Sequence, residues 1–118
     1  MTLLTSVLLM LLGACSRGLK IEVCTINGQG GYLRCNRAGI EYERSTSDSY
    51  QWPCIDPESF FDYLAACKNR QALPVINPCK IDRSKLICKD KILDIKEANN
   101  WSCLNPFDYR KVVRYCER

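Results

Sequence analysis

Cysteine is the residue with the most chemistry to offer in this chain: there are nine in 118 residues, and no histidine accompanies them. A serine or thiol nucleophile ordinarily takes its base from a nearby histidine, which is also the commonest zinc ligand and the usual proton carrier near neutral pH. Its absence removes those chemistries together. Eight residues separate even the closest cysteines, so there is neither a C-x2-C zinc knuckle nor a thioredoxin-like C-x-x-C pair. Cysteine at this density in a short chain signals a disulfide scaffold made in an oxidising compartment. Among the carboxylates, Glu41 and Glu43 share one face of an alternating segment, the pattern of a solvated strand. Asp56 has a structural duty as a helix cap, and its counterpart in the second half is Asn105, which cannot ionise. Gly28-Gln29-Gly30-Gly31 has no helix after it and reads as a hairpin turn. No catalytic residue, metal site or cofactor is expected, and the chain reads as non-enzymatic.

The elements that position the cysteines are marked by a phrase that occurs twice, Trp52-Pro53-Cys54-Ile55-Asp56-Pro57 and Trp101-Ser102-Cys103-Leu104-Asn105-Pro106. A helix-like run follows each, closing on Cys67 or Cys116 at C-x12-C spacing. Asp56 and Asn105 suit the N-cap, where a side-chain oxygen accepts a first-turn N–H, and Pro57 and Pro106 suit the next position, whose N–H is unpaired anyway. Phe60, Leu64 and Cys67, and again Tyr109, Val113 and Cys116, fall at i, i+4 and i+7 and form apolar stripes. Helices are expected over about 57–68 and 106–116.

Ahead of each phrase lies a hairpin pattern. Lys20–Asn27 alternates, the glycine turn follows, and Tyr32–Asn36 returns; Gly39–Arg44 alternates again. In the second half Cys79 and Cys88 match Cys24 and Cys35 around a turn at Asp82-Arg83-Ser84, and Leu93 and Ile95 match Ile40 and Tyr42. On that alignment only the loop before the tryptophan differs, four residues shorter at Ala98-Asn99-Asn100. The expected fold class is α+β: two tandem disulfide-stapled repeats, residues 19–70 and 71–118, each a β-hairpin or short antiparallel sheet followed by one helix, packed as one compact domain. Neither half, at about 50 residues, buries much core alone, so staples are needed.

Cys24, Cys35, Cys54, Cys67, Cys79, Cys88, Cys103 and Cys116 are the disulfide candidates. A ten-residue helix spans about 15 Å, whereas bonded Cα atoms lie within about 7 Å, which argues against Cys54–Cys67. Pairing inside each repeat then leaves 24–54 with 35–67 or 24–67 with 35–54, and their equivalents 79–103 with 88–116 or 79–116 with 88–103. Bonds crossing between the repeats are the alternative.

The ninth cysteine stands apart. Leu3 to Leu12 is an apolar run, too short for a bilayer core but of the length of a secretory leader, and Gly13-Ala14-Cys15-Ser16 follows. Leu12-Gly13-Ala14-Cys15 resembles the lipobox of bacterial lipoproteins. That resemblance implies a signal peptide over residues 1–14, cleavage before Cys15, lipidation of its thiol, and a short tether over 15–18. Ser16 is similar to the residue that lets such proteins pass to the outer membrane. The expected location is the cell envelope, anchored at the outer membrane and facing periplasm or cell surface; without lipid on Cys15 the chain would be secreted.

Residues 19–70 carry six Lys/Arg against seven Asp/Glu, and residues 71–118 carry ten against six. Lys80, Arg83, Lys85, Lys89 and Lys91 gather on or beside the second hairpin, a possible surface for an anionic partner. Nucleic acid is not expected. The reading is a membrane-anchored interaction module with a protein partner at the envelope. The alternatives are an inhibitor of a hydrolase such as a lysozyme or protease, with the basic hairpin turn or the Ser45–Ser49 loop inserting, or a phage-encoded receptor-blocking lipoprotein.

Overall fold

A computed structural model describes residues 20–117. Eight strands form one antiparallel sheet: β1 (Val23–Asn27), β2 (Tyr32–Arg37), β3 (Ile40–Ser45), β4 (Pro53–Ile55), β5 (Cys79–Asp82), β6 (Lys85–Ile87), β7 (Ile92–Asp94) and β8 (Ser102–Cys103). Helices α1 (Pro57–Lys68) and α2 (Pro106–Cys116) follow β4 and β8, and single 3-10 turns lie at Ser47–Ser49 and Ile95–Ala98. The class is therefore mixed α+β, with four disulfides.

The strand order is β3-β2-β1-β8-β4-β5-β6-β7, so the last strand is inserted between β1 and β4. Cys54 opposes Cys103 at this central joint. Beyond the short strands the same pairing continues through single residues. Ile26 N–H donates to the Trp101 carbonyl at 3.0 Å and Asn100 N–H to the Ile26 carbonyl at 2.9 Å. Across the joint, Ile81 N–H donates to the Trp52 carbonyl at 3.2 Å and Gln51 N–H to the Ile81 carbonyl at 2.8 Å.

Alternation along the strands sorts side chains into two cores. Cys24, Ile26, Leu33, Cys54, Ile81 and Cys103 share one cluster with Trp52 and the second 3-10 turn. Val23, Ile55 and Leu104 face the other way and meet Phe60, Tyr63 and Leu64 of α1 and Val112 of α2. The expected caps are present: Ser59 N–H donates to Asp56 Oδ2 at 3.0 Å, and Asp108 N–H to Asn105 Oδ1 at 2.8 Å. The stripe expected on α1 is buried at Phe60 and Leu64. On α2 the buried positions are Asp108 and Val112, while Tyr109, Val113 and Cys116 are half-buried. Asp108 is drawn inward because its Oδ2 accepts from the Glu22 N–H at 2.9 Å, tying the start of β1 to the first turn of α2.

The disulfides correct the within-repeat pairings. Cys24 bonds Cys35 and Cys79 bonds Cys88, each across its own hairpin, while Cys54–Cys103 and Cys67–Cys116 join the two halves of the chain. Two of the bonds join register neighbours: Cys24 lies opposite Cys35 with Cα atoms 3.9 Å apart, and Cys54 opposite Cys103 at 4.1 Å. Cys67 and Cys116 meet at the ends of the two helices, Cα atoms 5.0 Å apart. The helix-length argument against 54–67 stands, since α1 occupies the 12 residues from Pro57 to Lys68. What fails is the confinement of pairing to one half.

A second correction concerns the four extra residues of the first half. Ser49 to Trp52 and Ala98 to Trp101 are equal intervals, each closed by a backbone bond from the tryptophan N–H. The difference sits at the hairpin tips: Cys35 pairs with Tyr42, whereas Cys88 N–H already meets the Lys91 carbonyl at 2.9 Å. The β2–β3 hairpin therefore projects further than β6–β7, turning at Ala38 and Gly39, both with positive φ.

These connections predict how a cut chain behaves. Residues 69–78, between α1 and β5, are outside any helix or strand and largely exposed, so limited trypsin should cut after Arg70. The nicked protein should run as one species on a non-reducing gel and as two fragments of similar size after reduction; separation without reductant would refute both inter-half bonds. The Cys67–Cys116 bond spans 49 residues, for which chain-entropy reasoning gives a contribution of about 3–4 kcal/mol. The double variant C67S/C116S should lose about that much in urea unfolding, with the other three bonds intact by mass.

Candidate functional site

The described residues contain one cluster of potential metal ligands, Glu22 with Cys24 and Cys35. Its two sulfurs are bonded to each other, and a disulfide has no thiolate to give a metal. Glu22 turns instead to Arg44, whose Nη2 lies 3.2 Å from its Oε2. The Arg44 guanidinium also stacks over the Trp52 ring at 4.9 Å and faces Tyr42 at 5.9 Å. This group is structural: it fastens β3 to the residue ahead of β1 and to the tryptophan of the repeated phrase.

Among the described residues, three titrating groups depart from their ordinary values. Burial pushes the phenols of Tyr63 and Tyr109 up, with Glu117 and then Tyr109 adding to the shift of Tyr63. The Lys96 N–H, and after it Lys85, hold the Asp94 carboxyl down. All three shifts move their groups further from neutral pH.

Lys80, Arg83, Lys85, Lys89 and Lys91 are all exposed, yet they do not form one patch. Lys80, Ile87 and Ile92 make a cross-strand row on β5–β6–β7. Asp82, Lys85 and Asp94 make the adjacent row, in which Lys85 Nζ sits 3.0 Å from Asp94 Oδ2. Arg83 is at the turn with φ of 58°, and Lys91, paired with Cys88, alternates to the opposite face from Ile92. Two apolar side chains that charge counting overlooks, Ile87 and Ile92, therefore lie exposed among the lysines. The Ser45–Ser49 segment does not project: Ser45 Oγ bonds Ser47, and buried Ser49 donates back to the Ser45 carbonyl. The element that does project is the β2–β3 tip, where Ile40 is 70% exposed.

A further surface escaped the sequence reading. At about 100° per residue, Phe107, Arg110, Lys111 and Arg114 of α2 fall within one outward stripe, opposite Val112 and Cys116. Phe107 is 56% exposed, with Lys111 Nζ 4.7 Å from its ring. Beside the stripe a shallow cavity of about 280 Å³ is lined by Tyr109, Arg110, Val113 and Arg114. The corresponding stripe of α1 carries Glu58, Phe61 and Asp62. The same stripe is written in the sequence as the i, i+3, i+4, i+7 spacing of Phe107, Arg110, Lys111 and Arg114, on the face opposite the apolar one.

Cys15 and the leader expected over residues 1–14 lie outside the described residues. Among the described residues no helix is long and apolar enough to cross a membrane. Comparison of the chain with family models, with curated proteins and with solved structures finds no match.

Proposed function

We propose that this chain is an exported lipoprotein, anchored through Cys15, whose disulfide-stapled body is a non-enzymatic interaction module at the cell envelope. The observation that carries the reading is the cysteine pairing. Cys24, Cys35, Cys54, Cys67, Cys79, Cys88, Cys103 and Cys116 consume one another in four bonds, which leaves Cys15, at the end of a lipobox-like sequence, for other chemistry. An odd cysteine in an exported chain needs such an explanation. The missing histidine agrees with a binding role, as does the row in which Lys80 lies beside exposed Ile87 and Ile92, apolar side chains open to a partner.

We further read the body as two copies of one hairpin-and-helix unit that exchange their phrase strands. The palindromic strand order, in which β3-β2-β1-β8 reads inward from one edge as β7-β6-β5-β4 does from the other, supports this. So do the matched bonds of Ile26 to Trp101 and Ile81 to Trp52, the matched positive φ at Gln51 and Asn100, and the matched caps.

Replacing Cys15 with serine should release the protein from the membrane fraction and abolish metabolic palmitate labelling; labelling that persists in C15S would sink the lipoprotein assignment. The projecting β2–β3 tip favours one second reading, an inhibitor that inserts Ile40 into the cleft of a hydrolase such as a lysozyme or protease. On that reading the purified protein slows such an enzyme at micromolar concentration and Ile40→Asp weakens it at least ten-fold. Rates equal with and without protein reject it.

A further inference from the structure

The body meets its anchor at a defined place. Lys20, the first described residue, is five positions after Cys15, so even a fully extended tether reaches only about 18 Å. The chain is held there at two points on α2: Lys111 Nζ donates to the Lys20 carbonyl at 3.5 Å, and Glu22 N–H to Asp108 Oδ2 at 2.9 Å. Whatever surface Cys15 is attached to therefore lies close to α2. It is this helix, and not α1, that turns a basic stripe outward. Phe107, Arg110, Lys111 and Arg114 share the stripe, Arg17 and Lys20 add charge in the tether, and Glu117 follows the helix at its C-cap.

We infer that the outward stripe of α2 is a membrane-docking surface, laid against anionic phospholipid headgroups beside the anchor. The inference rests on the lipoprotein reading for its anchor and adds the orientation of the body. The chemistry fits an interfacial helix: the Arg110 and Arg114 guanidiniums for the headgroup phosphates, and the exposed Phe107 ring for the boundary beneath them, while Lys111 is engaged by Asp108 Oδ1 at 3.9 Å and by the Lys20 carbonyl. The apolar ground of the cavity beside Arg110 and Arg114, from Tyr109 and Val113, lets the guanidiniums sit at the interface with little exposed polar surface around them. The tether is too short for the body to range freely, so each basic residue acts at high effective concentration. The α1 stripe, with Glu58 and Asp62, is repelled by the same surface. With α2 down, the Ile40 tip belongs to another element of the body, whereas the Lys80–Ile87–Ile92 row shares the sheet face that carries the helices, because Lys80 alternates with Cys79 and Ile81 of the opposite core.

The test is residue-level labelling of the processed full-length protein on vesicles. An amine-reactive ester is applied on vesicles of phosphatidylcholine alone and on vesicles that also contain phosphatidylglycerol, and each lysine is read by mass spectrometry. A Lys or Arg near an anionic surface contributes about five-fold in binding. Lys20 and Lys111 should therefore lose reactivity at least about five-fold on the anionic vesicles, while Lys89 and Lys91 keep theirs. The variant R110E/R114E should restore Lys20 and Lys111. Uniform labelling, protection of the hairpin lysines instead, or protection that survives R110E/R114E overturns the docking surface. The intact mass judges the anchor separately. A lipidated protein with uniform labelling keeps the anchor and loses the surface. A protein without lipid that floats with anionic vesicles and shows the same footprint loses the anchor and keeps the surface, and one that neither carries lipid nor floats loses both.

Discussion

The centre of the sheet is its least hydrogen-bonded part. β4 and β8 contribute three and two residues, joined by the pairs Cys54–Cys103 and Ile55–Ser102 and by the bond from Leu104 N–H to the Pro53 carbonyl at 3.2 Å. Two strands of this length do not hold two hairpins together in water. The Cys54–Cys103 bond does what the ladder is too short to do, and Cys67–Cys116 repeats the link at the far ends of the helices. With those two bonds in place the apolar faces of both halves are held in apposition, so a body of about 100 described residues has the core of one domain where separate halves would each expose theirs.

Geometry at the joint is set by one backbone feature on each side. Gln51 and Asn100 take φ of 67° and 69°, turning the chain sharply out of its 3-10 segment so that the following tryptophan can enter the neighbouring ladder. Asparagine tolerates the left-handed region through its short polar side chain, whereas glutamine in that region costs about 1 kcal/mol. The cost at Gln51 is offset by its bond to the Ile81 carbonyl and by burial of Trp52 against the sheet. The Arg44 guanidinium, stacked on Trp52 and paired with buried Glu22, then locks the outer strands to this corner.

What the sequence disclosed follows from the range of each interaction. Caps, prolines, turns and alternation are written in neighbouring residues, and the hairpin around Gly28–Gly31, the turn at Arg83 and both helices lie where those signals put them. The partner of Cys54 depends on which strand from elsewhere in the chain comes to lie beside it, and spacing carries no record of that. The interval from Cys35 to Trp52 discloses four extra residues, but only the Cys35–Tyr42 and Cys88–Lys91 pairs reveal that they extend a hairpin. The basic residues behaved likewise. Their nearness in sequence suggested one patch, and the two-residue period of the strands divides it, with Lys85 compensated by Asp94 and Lys91 on the face away from Ile92.

The two helices separate architecture from use. Both begin with a capping residue and a proline, both end on the bonded cysteines, and both lay apolar side chains on the same face of the sheet. Packing therefore constrains their inner faces alike, while on the outer face of α2 Lys111 is tied back to the Lys20 carbonyl and Asp108. On those outer faces they diverge in sign, Glu58 and Asp62 on α1 against Arg110, Lys111 and Arg114 on α2. If the halves arose as copies, the contrast was acquired after the fold existed, because nothing in the sheet, the caps or the disulfides requires it. The repeated tryptophan phrase builds the body, and the halves differ outside it, in the α2 stripe, the Ile40 tip and the Lys80–Ile87–Ile92 row.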